Sequence, residues 1–108
     1  MLEEAFKLGR EVVMEFGASW CGPCKKMNEE TWSNDAVKDY MNENNVFMQI
    51  DIDQSPGLKE RYGVAGVPLT MVGNVSKNAD GEYVFSPSER IEGFQSADFI
   101  LELLKKSD

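Results

Sequence analysis

Histidine is absent from the 108 residues. That excludes Ser-His-Asp and Cys-His catalysis. With only two cysteines, the chain also lacks the set of about four Cys or His ligands that a closed zinc site uses, so no metal is expected. Cations are scarce: Lys plus Arg number 11 against 19 Asp plus Glu, a formal charge of −8. Nucleic acid and anionic membrane surfaces are therefore not expected as partners, because both need clustered cations. No run approaches the roughly 18 apolar residues that cross a bilayer, so no membrane insertion is expected. Cys21 and Cys24 close too small a loop to staple a fold. What remains for chemistry is cysteine, carboxylate, lysine, hydroxyl and backbone.

The length suits one domain, residues 1–108. The N-terminus, Met1-Leu2-Glu3-Glu4-Ala5-Phe6, is acidic and lacks the basic-then-apolar order of a secretory signal. A cytoplasmic location is the expectation, or a periplasmic or other extracytoplasmic one if a signal was removed. Leu2, Ala5 and Phe6 predict a short helix that stops at Gly9. Glu11 to Phe16 reads as a buried central strand, apolar on both faces apart from Glu15. A helix follows from about Cys21 to Thr31. Ser33 or Asn34 caps the next, with Ala36, Val37, Tyr40 and Met41 on one face.

Val46 to Ile52 is the second strand, Leu58 to Tyr62 a short helix, and Leu69 to Val75 the third strand. Asp80-Gly81 predicts a hairpin, which makes Glu82 to Phe85 antiparallel to the third strand. Ser96 caps a last helix with Phe99, Ile100, Leu103 and Leu104 as its apolar face. This order predicts an α/β fold, a mixed central sheet flanked by helices on both faces. The six methionines read as core filler. Asp51-x-Asp53-x-Ser55 opens like a calcium loop, but Pro56 stands where glycine is needed and Tyr62 where the bidentate glutamate belongs.

The informative segment is Trp20-Cys21-Gly22-Pro23-Cys24-Lys25, where a strand gives way to a helix. A cysteine at a helix N-terminus meets unpaired N–H groups and the positive end of the macrodipole, which favour its thiolate. Two intervening residues keep the second sulfur within bonding reach, one turn further in. Gly22 and Pro23 suit a first helical turn, where proline forfeits no needed donor. The turn also brings the first sulfur to the C-terminal edge of the sheet, where open α/β folds bind ligands. Two inert buried cysteines, or half of a metal knuckle, are the plainer readings, and the other half of a knuckle is missing. Dithiol redox chemistry is the expectation.

Trp20-Cys21-Gly22-Pro23-Cys24-Lys25 resembles the active-site hexapeptide of the thioredoxin superfamily. Gly63-Val64-Ala65-Gly66-Val67-Pro68 resembles its cis-proline loop, and Asp51 to Gly57 the strand and turn between them. Glu30 to Val37 and Ile91-Glu92-Gly93-Phe94 look more like the C-terminal domain of membrane thiol:disulfide interchange proteins. The resemblance implies a thioredoxin fold and a thiol–disulfide oxidoreductase that reduces protein disulfides. It implies no bound cofactor, an electron-donating reductase as partner, and a monomer. Cys21 attacks and Cys24 resolves. Pro68 is cis, and the Val67 backbone pairs with an extended substrate segment. Trp20, Gly22, Pro23, Gly66, Val67, Pro68 and Gly93 form the substrate-binding rim, although Trp20 has core as its alternative.

The family's buried aspartate falls on Glu15 and its facing lysine on Gln49. Glu15 within an apolar strand suggests proton transfer with Cys24, against an edge-exposed glutamate without a role. Other functions stay open beside the reductase: an extracytoplasmic relay fed by a membrane electron donor, a binding module in which the dithiol is incidental, and a cluster-bridged dimer using one CxxC per chain.

Overall fold

The computed structural model describes residues 2 to 107, without the side chain of Ser107. In chain order the elements are α1 (Leu2–Leu8), β1 (Glu11–Gly17), α2 (Gly22–Met27), a π-helical turn (Asn28–Trp32) and α3 (Asp35–Asn44). Then come β2 (Asn45–Asp51), α4 (Pro56–Arg61), β3 (Leu69–Lys77), β4 (Tyr83–Glu92) and α5 (Ala97–Ser107). The four strands form one sheet in the order β2-β1-β3-β4. β1 is parallel to β2, antiparallel to β3, and β3 is antiparallel to β4.

The two faces of the sheet follow from the period-2 alternation of the strands. Val12, Met14 and Phe16 pack with Ile50, Leu69, Met71 and Ala5 of α1. Val13 points the other way, with Val72 of β3, to Met27, Trp32, Val37, Met41, Ile100 and Leu104, the inner surface of α2, the π-helical turn, α3 and α5. Helices on both faces are thus what buries this mixed sheet. Glu15 shares the parity of Val13, so its side chain enters the α2 side of the core. Met14, Met27, Met41 and Met71 are buried as expected, Met48 is half-buried, and Met1 lies outside the described residues.

Several local expectations are corrected. The helix after Cys21 does not run evenly to Thr31; it widens into the π-helical turn at Asn28 and ends at Trp32. Thr31 is fully buried there and its Oγ1 donates to Gln95 O at 2.6 Å, a tie between distant segments that local spacing does not reveal. Ala36 is exposed, and Asn34 rather than Ser33 is the cap of α3. On α5, Ser96 caps as expected, but Phe99 is 42% exposed while Leu101 joins the core contacts. The last strand is longer than its hairpin signal suggested, extending to Glu92. A bulge at Val72/Gly73 accommodates Pro87 on this edge strand. Gly73 is obligatory: a Cβ there would stand 2.6 Å from Pro87 Cα.

Arg90 of β4 fixes the approach to the proline loop. Its guanidinium donates to Tyr62 O at 2.8 Å and Gly63 O at 2.7 Å, the carbonyls just past the C-terminal end of α4. A planar fork on two successive carbonyls at the negative end of a helix is favoured by both geometry and dipole.

Candidate active site

β1 ends at Gly17, and three residues carry the chain over the sheet edge to Cys21, which is the N-cap of α2. Cys21 N–H donates to Ala18 O at 3.2 Å, which closes the turn. Cys24 N–H donates to Cys21 Sγ at 3.2 Å, so the sulfur itself serves as the helix cap. A capping sulfur is better stabilised as thiolate than as thiol, since an anion accepts that bond more strongly. Pro23 occupies the first turn, and Gly22 and Pro23 are exposed beside the dithiol. Cys21 and Cys24 are joined in a disulfide, with Cα atoms 5.2 Å apart.

The expectation that Cys21 is the more accessible sulfur is corrected for this oxidised form: each cysteine is 3% exposed. The bond draws both sulfurs into one unit at the helix head, so burial does not distinguish the two cysteines. Their neighbours differ. Cys24 lines a depression of about 270 Å³ that also contains Glu15, Gly17, Lys25, Asn28 and Gln49, and Cys21 does not.

Glu15 is 4% exposed, which rules out the edge-exposed alternative. A Cβ on Gly17 would meet Glu15 Oε2 at 3.2 Å and Cys24 Sγ at 3.5 Å, so carboxyl and sulfur flank the same bare Cα. Gln49, its partner in β2, donates Nε2–H to Glu15 Oε1 at 3.4 Å and to Asn28 Oδ1 at 2.8 Å. Burial pushes the Glu15 carboxyl up from 4.5 to about 7, and the hydrogen bond from Gln49 offsets part of that. A neutral amide stabilises the carboxylate less than a cation would, so desolvation wins.

The Val67–Pro68 peptide is cis, as the resemblance implied. Gly93 adopts φ +85° and its N–H donates to Pro68 O at 2.9 Å, which ties the turn after β4 to the proline loop. The Val67 main chain makes no loop hydrogen bond among the described residues. Gly66 is exposed and Val67 half-buried, but Pro68 is buried. The inclusion of Pro68 in an apolar rim is therefore corrected: it shapes the loop from beneath and offers little surface. Trp20 is 67% exposed, so it is not core, and its Nε1–H donates to Asp53 Oδ2 at 2.8 Å.

Asn28 was not singled out from the sequence, and Asp53 entered only in the rejected calcium-loop pattern and the Asp51 to Gly57 segment. Asn28 lies four residues after Cys24, a spacing that places both on one helix face. Asp53 had no comparable signal, since only the fold brings it to Trp20. Among the described residues no group of three His, Cys, Asp or Glu is placed to hold a metal ion.

The profile of the thioredoxin-like family matches residues 1–74. This chain belongs to the thioredoxin-like family. It is 28% identical over 93 residues to the thioredoxin of Mycoplasmoides gallisepticum, covering 84% of this chain and 87% of that one. It is 30% identical over 95 residues to the thioredoxin of Chlamydia muridarum, covering 88% and 80%. Among solved structures, the thioredoxin of Thermus thermophilus superposes with a TM-score of 0.79 at 24% identity, over 98% of this chain and 79% of that one. The oxidised C-terminal domain of DsbD from Neisseria meningitidis superposes with a TM-score of 0.74 at 30% identity, over 99% and 90%. With this membership and the Cys21–Cys24 disulfide, the thioredoxin-like chain is a thiol–disulfide oxidoreductase.

Proposed function

We propose that the chain reduces protein disulfides, with Cys21 as attacking thiolate, Cys24 as resolving thiol and Glu15 as its proton acceptor. The observation that carries these roles is the asymmetry around the disulfide: Cys21 Sγ caps a helix, while Cys24 Sγ shares the bare Cα of Gly17 with the Glu15 carboxyl. Cys21 thiolate attacks one sulfur of the substrate disulfide, and the other substrate sulfur leaves as thiolate. Cys24 gives its proton to Glu15 and attacks Cys21 Sγ, which breaks the mixed disulfide and releases the second substrate thiolate. The substrate gains two electrons and the Cys21–Cys24 disulfide forms. A partner reductase supplies two electrons to reopen it.

Substrate recognition rests on the open Val67 main chain, on Gly66 and Gly93 beside it, and on the exposed Trp20 face, with Gly22 and Pro23 completing the contact surface. Main-chain pairing gives affinity without demanding a sequence, which suits a reductase acting on many disulfides. The acting form is a monomer, and the compartment is the cytoplasm.

Reduction of insulin disulfides by dithiothreitol tests this reading. The wild type accelerates the reaction and Cys21→Ser abolishes the acceleration. A wild type no faster than the uncatalysed control means that the fold serves here as a binding module.

A second reading has its own support. The match to the DsbD C-terminal domain spans nearly the whole chain at higher identity than the Thermus thioredoxin. On that reading the chain relays electrons outside the cytoplasm from a membrane donor. The equilibrium potential of the Cys21–Cys24 couple against glutathione separates the two, since a thioredoxin-type reductant sits at about −270 mV and a relay that passes electrons onward to more oxidising partners sits higher.

A further inference from the structure

The hydrogen bonds around Glu15 form a chain that the dithiol chemistry does not by itself require. Gln49 uses both hydrogens of its amide, one on Glu15 Oε1 and one on Asn28 Oδ1. Asn28 is the first residue of the π-helical turn, the point at which the helix carrying the cysteines widens. Such single-turn widenings recur at functional sites. Asn28 and Gln49 also form a wall common to two depressions, the one containing Glu15 and Cys24 and another bordered by Trp32, Met41 and Phe47. On this side the carboxyl therefore faces two neutral amides, both on exposed residues.

Lys25 of α2 and Asp51 of β2 line the depression around Glu15. From β3 its cross-strand neighbour is Thr70, whose buried Oγ1 has no hydrogen-bond partner. Neither Lys25 nor Asp51 is hydrogen-bonded to Glu15, whereas Gln49 is.

A carboxamide differs from an ammonium in one decisive respect: it presents a donor or an acceptor according to a half-turn of its end group. With Glu15 ionised, Gln49 donates to it and Asn28 accepts. With Glu15 protonated, a half-turn of both amides makes Gln49 the acceptor of the Glu15 O–H and Asn28 the donor to Gln49. Each of the two contacts, Glu15 to Gln49 and Gln49 to Asn28, then has one donor and one acceptor in both states. We propose that Gln49 and Asn28 are positioning residues, a reversible amide pair that holds Glu15 against Cys24 in its protonated and its ionised form alike. A group that must take up a proton and return it in each cycle gains from a partner that serves both forms. A lysine at the same place serves only the charged one.

The proposal rests on the reading of Glu15 as the proton acceptor, and the test keeps the two apart. The Glu15 carboxyl and the side-chain amides of Gln49 and Asn28 are followed by NMR against pH in the oxidised protein, while stopped-flow fluorescence follows resolution by Cys24. All three side chains should titrate with one midpoint in the wild type. Gln49→Met should raise the Glu15 midpoint by about one pH unit, the loss of a hydrogen bond to a charged group, and leave the Asn28 amide insensitive to pH. Gln49→Lys should lower it by about 1 to 3 pH units. Asn28→Ala removes only the outer contact, so the Gln49 amide should still titrate with Glu15 through their direct bond.

Amide resonances that stay flat through the Glu15 titration, or a midpoint unmoved in both Gln49 variants, overturn the proposal. A shared midpoint and shifted variants with unaltered resolution rates uphold the amide pair and instead remove Glu15 from the proton step.

Discussion

Glu15 Oε2 and Cys24 Sγ both lie against the bare Cα of Gly17, at 3.2 and 3.5 Å from the point where a Cβ would stand. Glycine at this strand end keeps the space between carboxyl and sulfur open for a proton or a single water. Gly17→Ala should therefore slow resolution by Cys24 on the order of tenfold while the first attack by Cys21 keeps its rate. Stopped-flow Trp fluorescence resolves the two steps. Equal slowing of both would assign the effect to general distortion.

The raised affinity of Glu15 for protons has a consequence for stability. Its carboxyl titrates near 7 in the folded protein against 4.5 as the ordinary value. Between those pH values the folded chain binds more protons than the unfolded one, so stability falls as pH rises from about 4.5 to about 7 and then levels off. The penalty at neutral pH is on the order of 3 kcal/mol. Urea melts should find Glu15→Gln more stable than wild type above pH 7, with the difference vanishing below about pH 4.5. A difference that is constant with pH would contradict this origin.

Cys24→Ser should accumulate a covalent mixed disulfide through Cys21 when offered a disulfide substrate, and Cys21→Ser should not. The reason is the capping position of Cys21 Sγ, which accepts from Cys24 N–H at 3.2 Å. Mass spectrometry of the two variants reads the adduct directly. Comparable trapping by both would reverse or erase the assignment of roles.

Asp53 holds the Trp20 indole by a 2.8 Å hydrogen bond. Asp53→Ala frees an exposed ring that, on the proposed reading, presents one face to the substrate. KM for a protein disulfide should rise a few-fold, in keeping with the loss of about 1 kcal/mol of pre-ordering, with kcat unchanged. A fall in kcat at constant KM would place Asp53 in the chemistry instead.

Arg90→Ala should destabilise the fold by about 1 to 3 kcal/mol, because the carbonyls of Tyr62 and Gly63 lose a charge-assisted partner. The approach to Pro68 loosens with them, and amide exchange at Val64 to Val67 should accelerate more than exchange in β1. Uniform acceleration throughout the sheet would mean that only global stability had changed.

The sequence by itself determined the parts of the protein that are local. The apolar run of β1, the glycine that stops α1, the Asp80-Gly81 turn and the Ser96 cap act over a few positions, where local pattern and capping physics operate directly. The Cys21-Gly22-Pro23-Cys24 run at a strand-to-helix junction likewise carried its chemistry on its face. Tertiary structure alone decided what those parts meet. Glu15 became a buried group because β1 is an interior strand, and Gln49 reached it through the β1–β2 register. Asn28 closed the amide pair through a π-helical turn that no local preference announces. Phe99, predicted to be core, was left exposed, because α5 turned Ile100 and Leu104 to the sheet instead. Hydrogen bonds and desolvation act through space between residues distant in sequence, so partners such as Glu15 and Cys24, or Trp20 and Asp53, exist only once the sheet has set their distance.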